Sequence, residues 1–126
     1  MAEWTLDLKK YAEKQKEKID TVRKKVATYA YTNISVRTPV KTGRARGNWQ
    51  IGINQVETSQ LDRKGISTNE EIPKLNQVKE DETIYISNNL PYIQKLEYGS
   101  SKQAPSGMVG VTFAELQNKI EKFVKE

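Results

Sequence analysis

The chain has 126 residues, a net charge of +5 and no cysteine or histidine, with a mean hydropathy of -0.77. Disulfides and thiolate metal sites are thereby excluded, and the commonest general base and metal ligand is missing. One domain fits this length. At 36% hydrophobic residues the core is thin, and association is the usual way for such a chain to gain buried area.

No apolar run nears the ~18 residues of a membrane span. The start, MAEWTLDLKK, lacks the apolar stretch of a secretory signal, so assembly in a reducing cytoplasm is expected. Charge is uneven. Residues 1–46 carry 12 Lys/Arg against 5 Asp/Glu (+7), 47–98 carry 5 against 8 (-3), and 99–126 carry 4 against 3 (+1).

Leu8, Ala12, Ile19, Val22, Val26, Tyr29, Asn33 and Val36, with Gln15 at the missing place, recur at alternating steps of 4 and 3. This 3.5-residue repeat predicts a long helix over 6–37. It starts near Thr5 and ends before Pro39, because a residue preceding proline is pushed out of the α region. Such a helix would be about 48 Å long, too long for so small a domain to cover. Part of its stripe is expected to lie against another chain or to project.

The lysines at 9, 10, 14, 16, 18, 24 and 25 alternate with Glu13, Glu17 and Asp20. A solvated helix face with i,i+4 pairs is the plain reading. A basic surface toward DNA or an acidic partner is the sharper one, with Lys14, Lys18, Lys24 and Lys25 as candidate DNA-facing residues. A membrane-surface helix fits less well, since acids interrupt the basic face.

In Thr38–Trp49, Pro39 and Gly43 punctuate a turn, and Thr42 is placed to cap a short turn over 43–47. Arg44 and Arg46 fall close together. They read as solvated or ion-paired loop residues, or as contacts to a neighbour's acids or to phosphate. The Gly-x-x-x-x-Gly-Lys-Ser/Thr pattern is missing, so nucleotide binding is rejected.

Trp49, Ile51 and Ile53 alternate with polar residues or glycine and predict a strand over 48–57, with a bulge near Asn54-Gln55. Residues 58–82 form a polar excursion, with a further short strand or extended piece expected within 72–80. Thr83–Ser87 is a second strand, pairing antiparallel with the first. Asn89 is placed to cap a short helix over 90–98, with Pro91 in its first turn and Gly99 after its end. Val109, Phe113, Leu116, Ile120, Phe123 and Val124 give an amphipathic helix over 107–125. The expected fold class is therefore α+β: a long N-terminal helix, a small antiparallel sheet, a short helix and a C-terminal helix.

No catalytic constellation emerges. Glu70-Glu71 and Glu80-Asp81-Glu82 read as solvated loop charge. Adjacent loop acids do not make the two-sided cleft of a glycosidase, and no calcium loop is present. Ser100, Ser101 and Ser106 have neither a histidine nor a Ser-x-x-Lys partner. The Asn33-Ile34-Ser35 sequon lies within the predicted helix and is discounted. No catalytic residue, cofactor or metal is assigned, and the chain is read as a non-enzyme.

Two segments carry a resemblance. Thr38-Pro39-Val40-Lys41-Thr42-Gly43-Arg44-Ala45-Arg46-Gly47-Asn48-Trp49 looks like the T-P-V-x-T-G-x-x-R-x-x-W segment of tailed-phage neck and tail-completion proteins. Asn88 to Gly107 looks like that family's N-x-x-P-Y-x-x-x-x-E-x-G-x-S-x-Q-A-P-x-G segment. Lys41 stands where an acid is common, and 58–82 is the least family-like part.

The resemblance implies a virion protein of the head-to-tail connection, located at the neck. It implies a self-assembling ring on the DNA channel, a hexamer with a twelve-fold ring as the alternative. Its neighbours would be the head-closure or adaptor layer and the tail terminator or tail tube. Packaged DNA would pass non-specifically, and no membrane is involved. Interface candidates are Thr38, Pro39, Thr42, Gly43, Arg44, Arg46 and Trp49 in the first segment. In the second they are Pro91, Tyr92, Glu97, Tyr98, Gly99, Ser101, Lys102, Gln103, Ala104 and Pro105. The alternative is a small basic module that binds nucleic acid through its N-terminal helix.

Overall fold

The computed structural model describes residues 2–6, 16–40, 42–99 and 107–125. Strand β1 (Ala2–Leu6) precedes helix α1 (Lys16–Arg37) and the short α2 (Arg44–Gly47). Strand β2 (Gln50–Ile53) follows. After it come α3 (Thr68–Glu71) and a 3-10 helix (Ile72–Gln77), then β3 (Ile84–Asn88), α4 (Ile93–Glu97) and α5 (Val109–Lys125). The fold is α+β. The three strands form an antiparallel sheet in the order β1-β3-β2, with Ala2 to Leu6 opposite Asn88 to Ile84 and Gln50 to Ile53 opposite Ser87 to Ile84.

The long helix does not begin at residue 6. Ala2–Leu6 is a strand instead. The sequence Ala-Glu-Trp-Thr-Leu alternates as a strand does, and Trp and Thr favour the extended state. The edge of β3 satisfies its backbone. Residues 7–15 lie outside the described residues, and the 22 residues of α1 give it a length of about 33 Å.

On α1 the buried residues are Val22, Val26, Ala30 and Ile34 in one row and Arg23, Ala27, Tyr31 and Ser35 in the next. These are i,i+4 rows of an ordinary helix lying over its own domain. The heptad frame therefore fails toward the C-terminus: Val36, expected inside, is 49% exposed. Trp49, Ile51, Ile84 and Ile86 from the sheet region, Leu75, Leu90 and Ile93 join the same core with Met108, Val109 and Leu116 of the α5 region. Each large side chain so buried contributes roughly 1.5–3 kcal/mol.

The buried Arg23 donates to Lys79 O and Glu80 O, both at 3.0 Å, and to Glu82 O. It thereby pins the turn before β3 onto α1. At the other end of α1, Arg37 pairs with Glu115 of α5 and donates to Thr112 Oγ1 at 2.8 Å. Tyr29 Oη also donates to Glu115. The Tyr29 hydrogen bond, then Arg37, hold the Glu115 carboxyl below the usual range.

The strand expected within 72–80 is the 3-10 helix instead, with Pro73 in its first turn. Proline has no N–H to give a ladder and suits a helix start. The strand predicted over 48–57 closes at Ile53, because Asn54 turns with φ 64°. Asn54 Oδ1 accepts the Thr83 N–H at 3.0 Å, and the Asn54 N–H reaches Thr83 O at 2.8 Å.

Candidate interaction surface

The first segment is built around the end of α1. Thr38 Oγ1 donates to Ile34 O at 2.7 Å and accepts from Trp49 Nε1 at 2.8 Å. Arg46 wraps back over the same end. Its Nε donates to Thr38 O at 2.7 Å and its Nη2 to Val36 O at 2.8 Å, satisfying carbonyls that a helix terminus leaves open.

Thr38, Pro39 and Trp49 are buried, so as interface candidates they are corrected. They are core residues, because an indole and a hydroxyl paired in the interior satisfy each other and exclude water. Arg46 is likewise corrected from an outward contact to an internal clasp. Arg44 and Thr42 are exposed, although Thr42 Oγ1 accepts the Arg44 N–H at 3.3 Å. The cap expected from Thr42 is only this local turn, since Gly43 holds the N-cap position of α2 with φ 81°. Trp49→Phe removes the bond to Thr38 and leaves a buried hydroxyl short of one donor. It is expected to cost about 1–2 kcal/mol, read as a lower urea midpoint. No change in midpoint would refute the pairing.

Gly47 is required by close approach: a Cβ there would sit 2.1 Å from Arg63 O. Around it the polar excursion is fastened by side chains. Asn48 donates to Arg44 O and Leu61 O at 2.9 and 3.0 Å, and accepts the Leu61 N–H at 2.6 Å. Arg63 donates to Gly47 O at 2.6 Å, Trp49 O at 3.2 Å and Glu71 Oε2 at 3.0 Å.

Glu71 was read from the sequence as solvated loop charge, yet its side chain is 4% exposed. Its Oε1 accepts from Ile51 N–H and from Lys74 Nζ, each at 2.8 Å. Burial alone would raise its carboxyl, but Lys74, the Ile51 N–H and Arg63 outweigh burial and hold it below the usual range. Tyr31 beside it is raised, first by burial and then by Glu71. The phenol stays neutral and donates to Trp49 O at 2.9 Å. The sequence signal missed was Glu71 three residues before Lys74, with Arg63 upstream.

The second segment begins where Asn88 Nδ2 donates to Ala45 O at 2.9 Å and Asn88 Oδ1 accepts the Leu90 N–H at 3.2 Å. Asn88 thus joins the two segments and shapes the turn into α4. It displaces Asn89 from the expected capping role: Asn89 Nδ2 donates to Glu57 O and Ser59 O instead. The position before α4 is Tyr92, with no side-chain cap.

Glu97 is not free to face a neighbour. Its Oε1 accepts the N–H groups of Met108 and Val109 at 2.9 and 2.8 Å, and its Oε2 accepts that of Gly110 at 2.9 Å. The carboxylate caps the first turn of α5, where both hydrogen bonding and the helix dipole favour an anion. Gly99 follows α4 with φ 89°. Gly107 has φ 82°, and a Cβ there would lie 2.2 Å from Glu97 O. Gly107 is therefore held between the Glu97 carboxylate's partners and a close backbone contact, while the Gly99 N–H donates to Leu96 O at 3.3 Å. Ser101, Lys102, Gln103, Ala104 and Pro105 lie outside the described residues. Beside this anchored base Tyr98 is 85% exposed and Tyr92 39%, and Pro91 is exposed.

No family model, curated protein or solved structure matches this chain. Among the described residues no helix is long and apolar enough to cross a membrane.

Of the DNA-facing candidates, Lys14 lies outside the described residues, and Lys18 is placed only by backbone on the first turns of α1. Lys24 and Lys25 are half-buried. With Thr21, Thr28, Tyr29 and Phe123 they help line an open groove of about 570 Å³ beside α5. Lys119 Nζ lies 4.9 Å from the Tyr29 ring centroid.

Proposed function

We propose that this protein is a structural subunit of the head-to-tail connection of a tailed phage. It would form a neck or tail-completion ring around the DNA channel, a hexamer in preference to a dodecamer. Head-closure or adaptor proteins would lie on one side, and the tail terminator or tail tube on the other. The observation that carries the reading is the Glu97 clasp. One carboxylate crosses from α4 to the first turn of α5, and Tyr98 follows it directly in the chain. An exposed aromatic on a rigid base suits an anchor in a contact between subunits.

The proposal is tested on purified protein and on virions. Electron micrographs should show closed rings of one size, alone or on the connector. Particles lacking the protein should have filled heads and detached tails. Normal assembly without it sinks the reading. Tyr98→Glu should abolish ring formation while leaving the urea midpoint within about 0.5 kcal/mol of the parent, as for other exposed positions. Rings that persist with Tyr98→Glu remove the 98–107 corner from the interface.

The second reading, a nucleic-acid-binding module, draws support from the groove lined by Lys24, Lys25, Thr21, Thr28 and Asn33, donors of the kind that meet phosphates. It requires duplex affinity that falls steeply with salt and is lost in Lys24→Glu/Lys25→Glu.

A further inference from the structure

Beside the last turns of α5, the face of α1 from Thr21 to Asn33 borders the open groove of about 570 Å³. At 1.5 Å per residue this strip of helix is about 18 Å long. Two rings form its floor. Tyr29 and Phe123 meet edge to face, with centroids 6.0 Å apart and planes at 60°, and both are half-buried. The Tyr29 hydroxyl is committed to Glu115, so the ring gives the groove its carbon surface. Along α1 the lining side chains include Thr21, Thr28 and Thr32, short enough to let another backbone come close.

The charge of the groove has one sign. Lys24 and Lys25 line it, and Lys119 Nζ lies 4.9 Å from the Tyr29 centroid. Among the described residues that line it, none is a carboxylate. Glu115, the acid that touches Tyr29, is already paired with Arg37. Half-buried lysines cover apolar surface with their stems and keep the ammonium in water. The groove therefore joins an apolar floor to a cationic rim.

We infer that this groove docks a single α-helix of a partner protein, apolar on the face that meets Tyr29 and Phe123 and acidic along its flanks. The lysines call for the acids, since charges of opposite sign fix register and orientation at a rim. Both walls are helices, whose backbone groups bond within α1 and α5 and leave no edge for an extended peptide to join. A helix satisfies its own backbone and brings only side chains, which suits such walls. A DNA duplex would meet the lysines through its phosphates but has no apolar face to set against the two rings. Such docking is independent of ring formation.

The probe is a fluorescein-labelled synthetic peptide of about 18 residues, long enough to form a helix. It carries leucine at i, i+3, i+4 and i+7, glutamate on the flanking positions and alanine elsewhere. Binding to the full-length protein is read by anisotropy at about 0.15 M salt. A second peptide has the same composition scrambled so that no face is apolar, and a DNA duplex is the third ligand. The amphipathic peptide is expected to bind at least about tenfold tighter than the scrambled one. Lys24→Glu/Lys25→Glu should weaken it by more than about tenfold. Thr28→Glu sets a carboxylate in the groove wall, removes no core side chain and should act likewise. It serves alone if the double variant fails to fold, as judged by the urea midpoint.

Equal binding of the two peptides leaves charge alone at work and overturns the helix groove. So does peptide binding that the folded variants leave unchanged, and so does the absence of binding. Duplex capture that is lost in Lys24→Glu/Lys25→Glu, with no peptide bound, gives the groove to nucleic acid and overturns the docking. Self-association of the parent that the variants abolish gives it to a second copy, with the same result.

Discussion

Replacing Glu71 by alanine is expected to destabilise the fold by about 3 kcal/mol, the low end for breaking a buried ion pair. The low end applies because the partners are not sealed. The Lys74 side chain is 39% exposed and that of Arg63 20%, so both can regain water. The Ile51 N–H cannot, since Ile51 is fully buried. Against a typical stability of about 5–15 kcal/mol the loss is large. It should appear as a lower urea midpoint at constant slope. Glu71→Gln keeps an acceptor for Ile51 and should cost less.

The same residue sets a pH dependence. The folded Glu71 carboxyl is held below its ordinary value, so it contributes stability that is complete above the unfolded value of about 4.3. That stability is lost as pH falls through the folded value. Glu115, also lowered, acts in the same direction. Glu71→Gln should therefore flatten, without abolishing, the fall in stability below about pH 4.3. Parallel pH profiles for parent and variant would remove Glu71 from the acid response.

Gly107→Ala should be comparably damaging, at about 3 kcal/mol. A φ of 82° is strained for alanine, and the added Cβ would lie 2.2 Å from a backbone oxygen, which cannot swing away as a side chain can. Glu97→Ala should cost about 1.5–3 kcal/mol, the range for hydrogen bonds to a charged group. It leaves the N–H groups of Met108 and Val109 short of a partner in a buried turn. In both variants, proteolysis between residues 99 and 107 should speed up more than global unfolding does, because the anchor of that segment is lost first. A Gly107→Ala protein within 0.5 kcal/mol of the parent, a surface-type effect, would show that the close contact with Glu97 is not maintained.

Much of the scaffold was written in local pattern. Period-2 alternation at Trp49–Ile53 and Thr83–Ser87 gave the antiparallel β2–β3 pair. The 3.6-type spacing from Val109 to Val124 gave α5, and Pro39 and Gly99 marked two helix ends. These signals are local because backbone period and the special residues act over a few positions. The roles of the two motif segments were less legible. Thr38, Arg46, Trp49 and Glu97 looked like contact residues, but each has a partner 8 to 13 positions away, beyond the reach of any periodicity.

The sequence by itself determined a small, histidine- and cysteine-free α+β chain with a basic N-terminal third and two punctuated turns. Only the tertiary structure decided which charges are internal. A carboxylate in a polar stretch looks the same whether it meets water, as Glu70 does, or a strand N–H, as Glu71 does. Burial is a property of what packs over a residue, and for Glu71, Arg23 and Glu97 the covering elements come from elsewhere in the chain. The β1 strand was missed for the same reason. Five residues make no stable strand alone, and the edge of β3 that holds them lies some eighty positions further along the chain.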